Sequence, residues 1–237
     1  VQVKTRAIVI STVKYQEKSL IVKCFTATDG VKSYFVRDAF STRKSKQKIA
    51  YFQPLTLLEI EAVHKNRGTL ESFKDIRISE PLHSIYHDLP KATMVMFIAE
   101  VLNHAIHEEE RNPALFEFLE SALIWLNNHN NIVNFHLILL LEVTRYLGFY
   151  PDHETIDQTY FELQEGVFNE TPGSTSLNEP ETQLLRRLMA LKFDDTAKTF
   201  HVSERQQLLK ILIDYYTLHL TGFRRPKSAD IFKEIFS

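Results

Sequence analysis

The apolar residues change their period at Pro81, and no other property of the 237-residue sequence restricts its fold as strongly. Before that point β-branched and aromatic residues gather in short runs between polar turns. Thr5 to Val13 and Ser19 to Thr26 read as strands. Asp29-Gly30 marks a tight turn into a third, Val31 to Ala39. Leu55 to Val63 alternates, with Leu58, Ile60 and Ala62 on one face and Leu57, Glu59 and Glu61 on the other. His64 to Gly68 then turns the chain into a fifth run, Thr69 to Ser79. Five short antiparallel strands are too few for a sandwich and suit a small closed barrel of the oligonucleotide-binding (OB) type.

Beyond Pro81 the period is that of a helix. Ala92, Val95, Ala99, Leu102 and Ile106 predict a helix from Lys91 to about Glu110. Asn112-Pro113 places a capping residue before a proline and opens a second, with Leu115, Phe118, Leu119, Ala122 and Leu126 inward. Ile132 to Leu147 is apolar nearly all round, as befits the middle of a bundle, and Gly148 and Pro151 end it. Residues 151–178 have no sustained period and read as an irregular excursion with a short hairpin around Tyr160 to Phe168. Helices resume at Pro180. Ser203 and Gln206 predict a capping box for a helix burying Leu208, Ile211, Leu212, Tyr215 and Leu218, and Ser228 to Phe236 predicts one last short helix. The expected class is α+β: an OB-fold domain over 1–80 and an all-helical domain over 81–237.

Charge divides the chain at the same place. The net charge of −2 conceals 15 Lys and Arg against 8 Asp and Glu in residues 1–80, a charge of +7, while the remainder carries −9. A basic first part followed by an acidic second suggests polyanion binding confined to the first. The single cysteine, Cys24, excludes an internal disulfide and any cysteine-based zinc site, and its place in an apolar strand suits an inert buried residue. No apolar run reaches membrane-spanning length and the N-terminus lacks a signal-peptide pattern, so a cytoplasmic protein is expected.

Catalytic motifs are scarce. The six glycines show no phosphate-loop or dinucleotide spacing. The nearest approach to a metal constellation is His83, His87, His104 and His107 with Glu108, Glu109 and Glu110, which would serve a metal-dependent nuclease; surface histidines and a solvated acidic run explain the same residues. No metal or cofactor is expected.

Binding chemistry is better represented. Arg43, Lys44, Lys46 and Lys48 stand in D-A-F-S-T-R-K-S-K-Q-K, just after Arg37. Lys14 and Lys18 flank the first turn, and Lys65 and Arg67 occupy the last. A barrel face that binds single strands needs cations along the phosphates and aromatic surfaces under the bases. Tyr34 is the candidate aromatic of the third strand; Tyr34, Phe40 and Phe52 could equally be core. In this fold the turns between strands one and two and between four and five line the binding face, so the three basic sets are expected to converge. A barrel that binds protein and never DNA is the alternative.

The residues also resemble a family. T-R-A-I-V-I-S-T-V-K-Y-Q-E-K-S-L-I-V-K-C-F-T-A-T-D-G-V-K-S-Y-F-V-R is similar to the N-terminal barrel of the bacterial recombination mediator family RecO. S-T-R-K-S-K matches that family's basic loop and F-Q-P-L-T-L-L-E-I-E its fourth strand. L-L-L-E-V-T-R-Y-L-G-F-Y-P-D resembles its central helix and G-F-R-R-P-K-S its C-terminal segment. Many members carry a four-cysteine zinc module after the glycine-aromatic-x-proline segment, whereas Pro151 to Gly173 contains no cysteine, so zinc is not expected.

The resemblance implies a DNA-repair protein that is not a hydrolytic enzyme. Such proteins bind single- and double-stranded DNA, anneal complementary strands and, with RecR, help RecA replace single-strand-binding protein. They also dock that protein's acidic, phenylalanine-ending tail on the helical domain. An apolar ring with a carboxylate needs a greasy pocket rimmed by cations, for which Arg145, Arg186, Arg187, Arg224, Arg225 and Lys227 are the candidates. A monomer is expected for the chain alone.

Overall fold

The computed structural model describes residues 1–40, 49–65, 69–106, 111–195, 199–229 and 232. These form two compact units, 1–129 and 130–237. Five strands open the first unit: β1 (Gln2–Tyr15), β2 (Ser19–Thr26), β3 (Gly30–Val36), β4 (Leu57–Val63) and β5 (Ser72–Glu80). They form one antiparallel sheet in the order β3-β2-β1-β4-β5. No continuous ladder closes it. The two edges meet in a parallel bridge, where Phe35 N–H donates to the Glu71 carbonyl at 2.9 Å and Glu71 N–H to the Ser33 carbonyl at 2.8 Å. This arrangement is compatible with the OB fold.

Turn chemistry fixes the strand pairings. Gly30 supplies the positive φ of +65° at the β2–β3 turn, and the Thr26 hydroxyl accepts from Asp29 N–H and donates to the Gly30 carbonyl. β1 carries a bulge. Its register steps from Val9 opposite Cys24 to Ser11 opposite Lys23, so Ile10 is an extra residue and the parity of the strand reverses. Ala7 and Val9 face the core with Leu20, Val22, Cys24, Leu58, Ile60 and Ala62. Beyond the bulge the even residues turn inward and the odd ones outward.

Helices α1 (His83–His87), α2 (Leu89–Ala105) and α3 (Pro113–Asn128) complete this unit. The expected helix from Lys91 starts two residues earlier, capped by Asp88, and ends at Ala105; Asn112 caps the next by accepting from Leu115 N–H. The buried Lys91 ammonium donates to Ser84 Oγ at 2.8 Å and to the Asn127 carbonyl at 3.3 Å, tying the three helices together. Burial pulls its pKa down, against the field of Asp88.

The second unit holds α4 (Phe135–Tyr146), the hairpin β6 (Tyr160–Glu162) and β7 (Val167–Asn169), α5 (Glu179–Met189) and α6 (Val202–His219). α4 is buried on nearly every side, and Gly148, at φ +86°, follows it. The capping box of α5 pairs Asn178 with Glu181. That of α6 lies earlier than Ser203 and Gln206 suggest, because Glu204 reaches back to His201 N–H at 2.7 Å. Leu218, expected inward, is exposed near the end of this helix. Most of the final helix expected from Ser228 lies outside the described residues.

The 151–178 excursion is held without thiols. Phe161 and Phe168 pack with Leu177, Leu185, Ile211 and Tyr215. The Glu162 carboxylate accepts from Ser176 Oγ at 2.6 Å, Thr175 N–H at 3.1 Å and the Thr175 hydroxyl, while the Arg186 guanidinium donates to the carbonyls of Ile156 and Gln158. A four-cysteine zinc site does not fit a segment with this donor set. Burial alone would raise the pKa of Glu162, but the hydrogen bonds from Ser176 and Thr175 outweigh it and hold it below 4.5. A depressed carboxylate stabilises the fold above its unfolded pKa and stops doing so as the pH falls through the folded value. Glu162→Gln is therefore expected to lower the melting temperature at neutral pH, and the gap from the parent should narrow in acid; a gap independent of pH would remove the charge from this role.

Candidate nucleic-acid interface

The end of the sheet formed by the β1–β2 turn and the exit of β3 gathers cations. Lys18 is exposed in the turn, and Arg37 is exposed one residue beyond β3. Lys14 pairs with Leu20 on the inward face at the barrel rim, its ammonium 5.7 Å from the centre of the Phe40 ring. The chain leaves the barrel core at Phe40 and returns to it at Ile49. The basic run between them, with Arg43, Lys44, Lys46 and Lys48, lies outside the described residues, as does Arg67.

The remaining basic set does not join this group. Lys65 follows β4 at the opposite end of the sheet, beside the β2–β3 turn, as the neighbouring contact of His64 Nδ1 with Asp29 at 3.6 Å makes plain. Its own N–H donates to the Glu71 carboxylate at 2.8 Å. Among the described residues, Lys14, Lys18 and Arg37 thus share one end of the sheet and Lys65 stands at the other.

Tyr34 is a correction. It is fully buried, stacked on Phe73 at 4.1 Å between ring centres, with its hydroxyl 2.8 Å from His64 Nε2. Burial raises its pKa well above the ordinary tyrosine value. No base can reach either face of that ring. The reason is strand geometry: residues 34 and 37 differ by an odd number, so an exposed Arg37 implies an outward Phe35 and an inward Tyr34. Phe52 is also core and Phe40 packs against it. The aromatics of the open face are instead Tyr15 and Phe35, whose rings meet edge to face at 6.0 Å. Alternation from Arg37 could have found Phe35, but the bulge at Ile10 hid Tyr15.

In the second unit the cations expected to rim a pocket are largely occupied. Arg145 pairs with Glu142 at 3.0 Å and lies 3.6 Å over the Tyr150 ring; its hydrogen bond to Glu142 raises its pKa further. Arg186 braces the excursion. Arg187 pairs with Glu204 at 2.8 Å and covers Phe200, and Arg225 pairs with Asp214. Arg224 and Lys227 are exposed.

The Cys24 thiol is buried, which pushes its pKa up and suppresses the thiolate. His83 and His87 stand 6.5 Å apart between ring centres, and among the described residues no three His, Cys, Asp or Glu side chains group as metal ligands. His107, Glu108, Glu109 and Glu110 lie outside the described residues. Among those described, no helix is long and apolar enough to cross a membrane.

Fold and site together define an α+β protein whose leading five-stranded sheet is OB-compatible and carries a basic end, followed by helices. The model of the recombination protein O N-terminal domain matches residues 1–82, and that of its C-terminal domain matches 86–229. The chain is 63% identical over 237 residues to the DNA repair protein RecO of Flavobacterium psychrophilum, covering all of both chains. It is likewise 63% identical over 236 residues to that of Flavobacterium johnsoniae, again at full coverage, and 34% identical over 245 residues to that of Bacteroides fragilis, with 98% of each chain covered. The chain belongs to the RecO family of DNA repair and recombination proteins.

Proposed function

We propose that this protein is a recombination mediator that acts by binding DNA rather than by breaking bonds. In this reading it binds single- and double-stranded DNA, anneals complementary strands and, with RecR, helps RecA replace single-strand-binding protein on gapped DNA. The observation that carries the reading is the full-length likeness to RecO proteins at 63% identity. Lys14, Lys18 and Arg37, gathered at one end of the sheet, support it. Annealing needs no catalytic group: cations that offset phosphate repulsion let two strands approach, and base pairing supplies the driving force. The exposed cations of the second unit, among them Arg224 and Lys227, with Arg145, Arg187 and Arg225 exchanging their surface carboxylate partners, would receive the acidic tail of single-strand-binding protein.

The reading is tested by mixing two labelled complementary strands with the protein, in chelator and then with a divalent metal. Faster annealing in both conditions, with strands of unchanged length, is the expected result. Metal-dependent shortening would identify a nuclease, and strands neither bound nor annealed would identify a barrel that recognises protein.

A further inference from the structure

The outer face of β1, β2 and β3 is covered at one end and open at the other. At the covered end Phe25 lies 5.8 Å from Phe116 of α3, and the Lys23 ammonium donates to Asn103 Oδ1 of α2 at 3.0 Å. Among the described residues the cover stops there. Strand register sets Val13, Ile21 and Phe35 in one row across the three strands, and Tyr15 rests its ring edge to face against Phe35. Val13 is 59% exposed and Tyr15 44%, high values for such residues on a sheet face. The Ile10 bulge is what turns Val13 and Tyr15 outward; without it both would point into the barrel.

The surroundings of this row are charged. Arg37 shares its face, two residues beyond Phe35, and Lys18 stands in the adjoining turn, with Glu17 and Asp38 as the acidic residues of the same loops. An occupant must offer flat apolar surface together with negative charge. Unpaired bases on a phosphodiester chain do so, whereas a duplex keeps its base faces stacked inside. We propose that Tyr15 and Phe35, supported by Val13 and Ile21, form a stacking platform for unpaired bases of single-stranded DNA, with Arg37 and Lys18 holding the adjacent phosphates. This rests on the DNA-binding reading above and adds to it the element that distinguishes a single strand from a duplex.

The test compares binding of the full chain to a labelled mixed-sequence strand, an abasic strand of equal length and a blunt duplex. The parent should favour the normal over the abasic strand by at least roughly five- to a hundredfold, the range expected for a single stacked base. Tyr15→Ala with Phe35→Leu should erase that preference, with abasic and duplex binding and the salt dependence unchanged, and Tyr15→Phe should retain it. Equal parental affinity for normal and abasic strands would overturn the platform and leave the DNA-binding reading standing, an outcome that needs no variant to fold. A parent that bound none of the three probes would overturn the broader reading and the platform with it.

Discussion

Replacing Arg43, Lys44, Lys46 and Lys48 together by alanine is expected to weaken single-strand binding on the order of a hundredfold near 0.1 M salt and to flatten the slope of log affinity against log salt by about 3, at about 0.7 per phosphate contact. The four residues follow Arg37 in the sequence, and Arg37 is exposed at the sheet end that also carries Lys14 and Lys18. Anisotropy of a labelled strand at graded salt reads both quantities. A slope equal to that of the parent would take the run out of the interface.

Phe161→Ala should destabilise the second unit by about 3–5 kcal/mol, the range for emptying a well-packed aromatic site. Phe161 is buried, its ring 4.8 Å from Phe168 and 5.7 Å from Tyr215, and its N–H donates to the buried Thr182 hydroxyl at 3.1 Å. Aromatic packing and the Glu162 and Arg186 hydrogen bonds anchor the excursion. Chemical denaturation measures the loss, and a chelator should leave the parent curve in place. A loss below about 1 kcal/mol would show that the excursion is anchored elsewhere.

The fold was legible wherever one local rule acted alone. Alternation in β4 placed Leu58, Ile60 and Ala62 inward, and the Asn112-Pro113 cap opened α3 where it stands. The site was less legible because it depends on two things that composition does not carry. One is parity: Tyr34 beside Arg37 in the sequence looks like a binding pair, yet period-2 geometry sends them to opposite faces. The other is the single extra residue at Ile10, which reverses β1 and brings Tyr15 out beside Phe35. Arg186 was misleading for a different reason. Its charge suggested a partner, but it satisfies carbonyls of a segment with no regular ladder of its own through Ile156 and Gln158.

The cations tell the same story of position over number. Lys65 counts toward the +7 of residues 1–80, but it stands at the opposite end of the sheet, where its N–H is bonded to the Glu71 carboxylate. Lys14, Lys18 and Arg37 sit beside the open aromatic row. Charge and exposed aromatic surface coincide at one end of the sheet, and the functional reading concerns that end.

The most direct measurement is a titration of the full chain against a fluorescent single strand across a salt series. Saturable binding at low salt is expected, with a log affinity that falls linearly with log salt at a slope of about −3 or steeper. No binding at low salt, or binding that ignores salt, would contradict it.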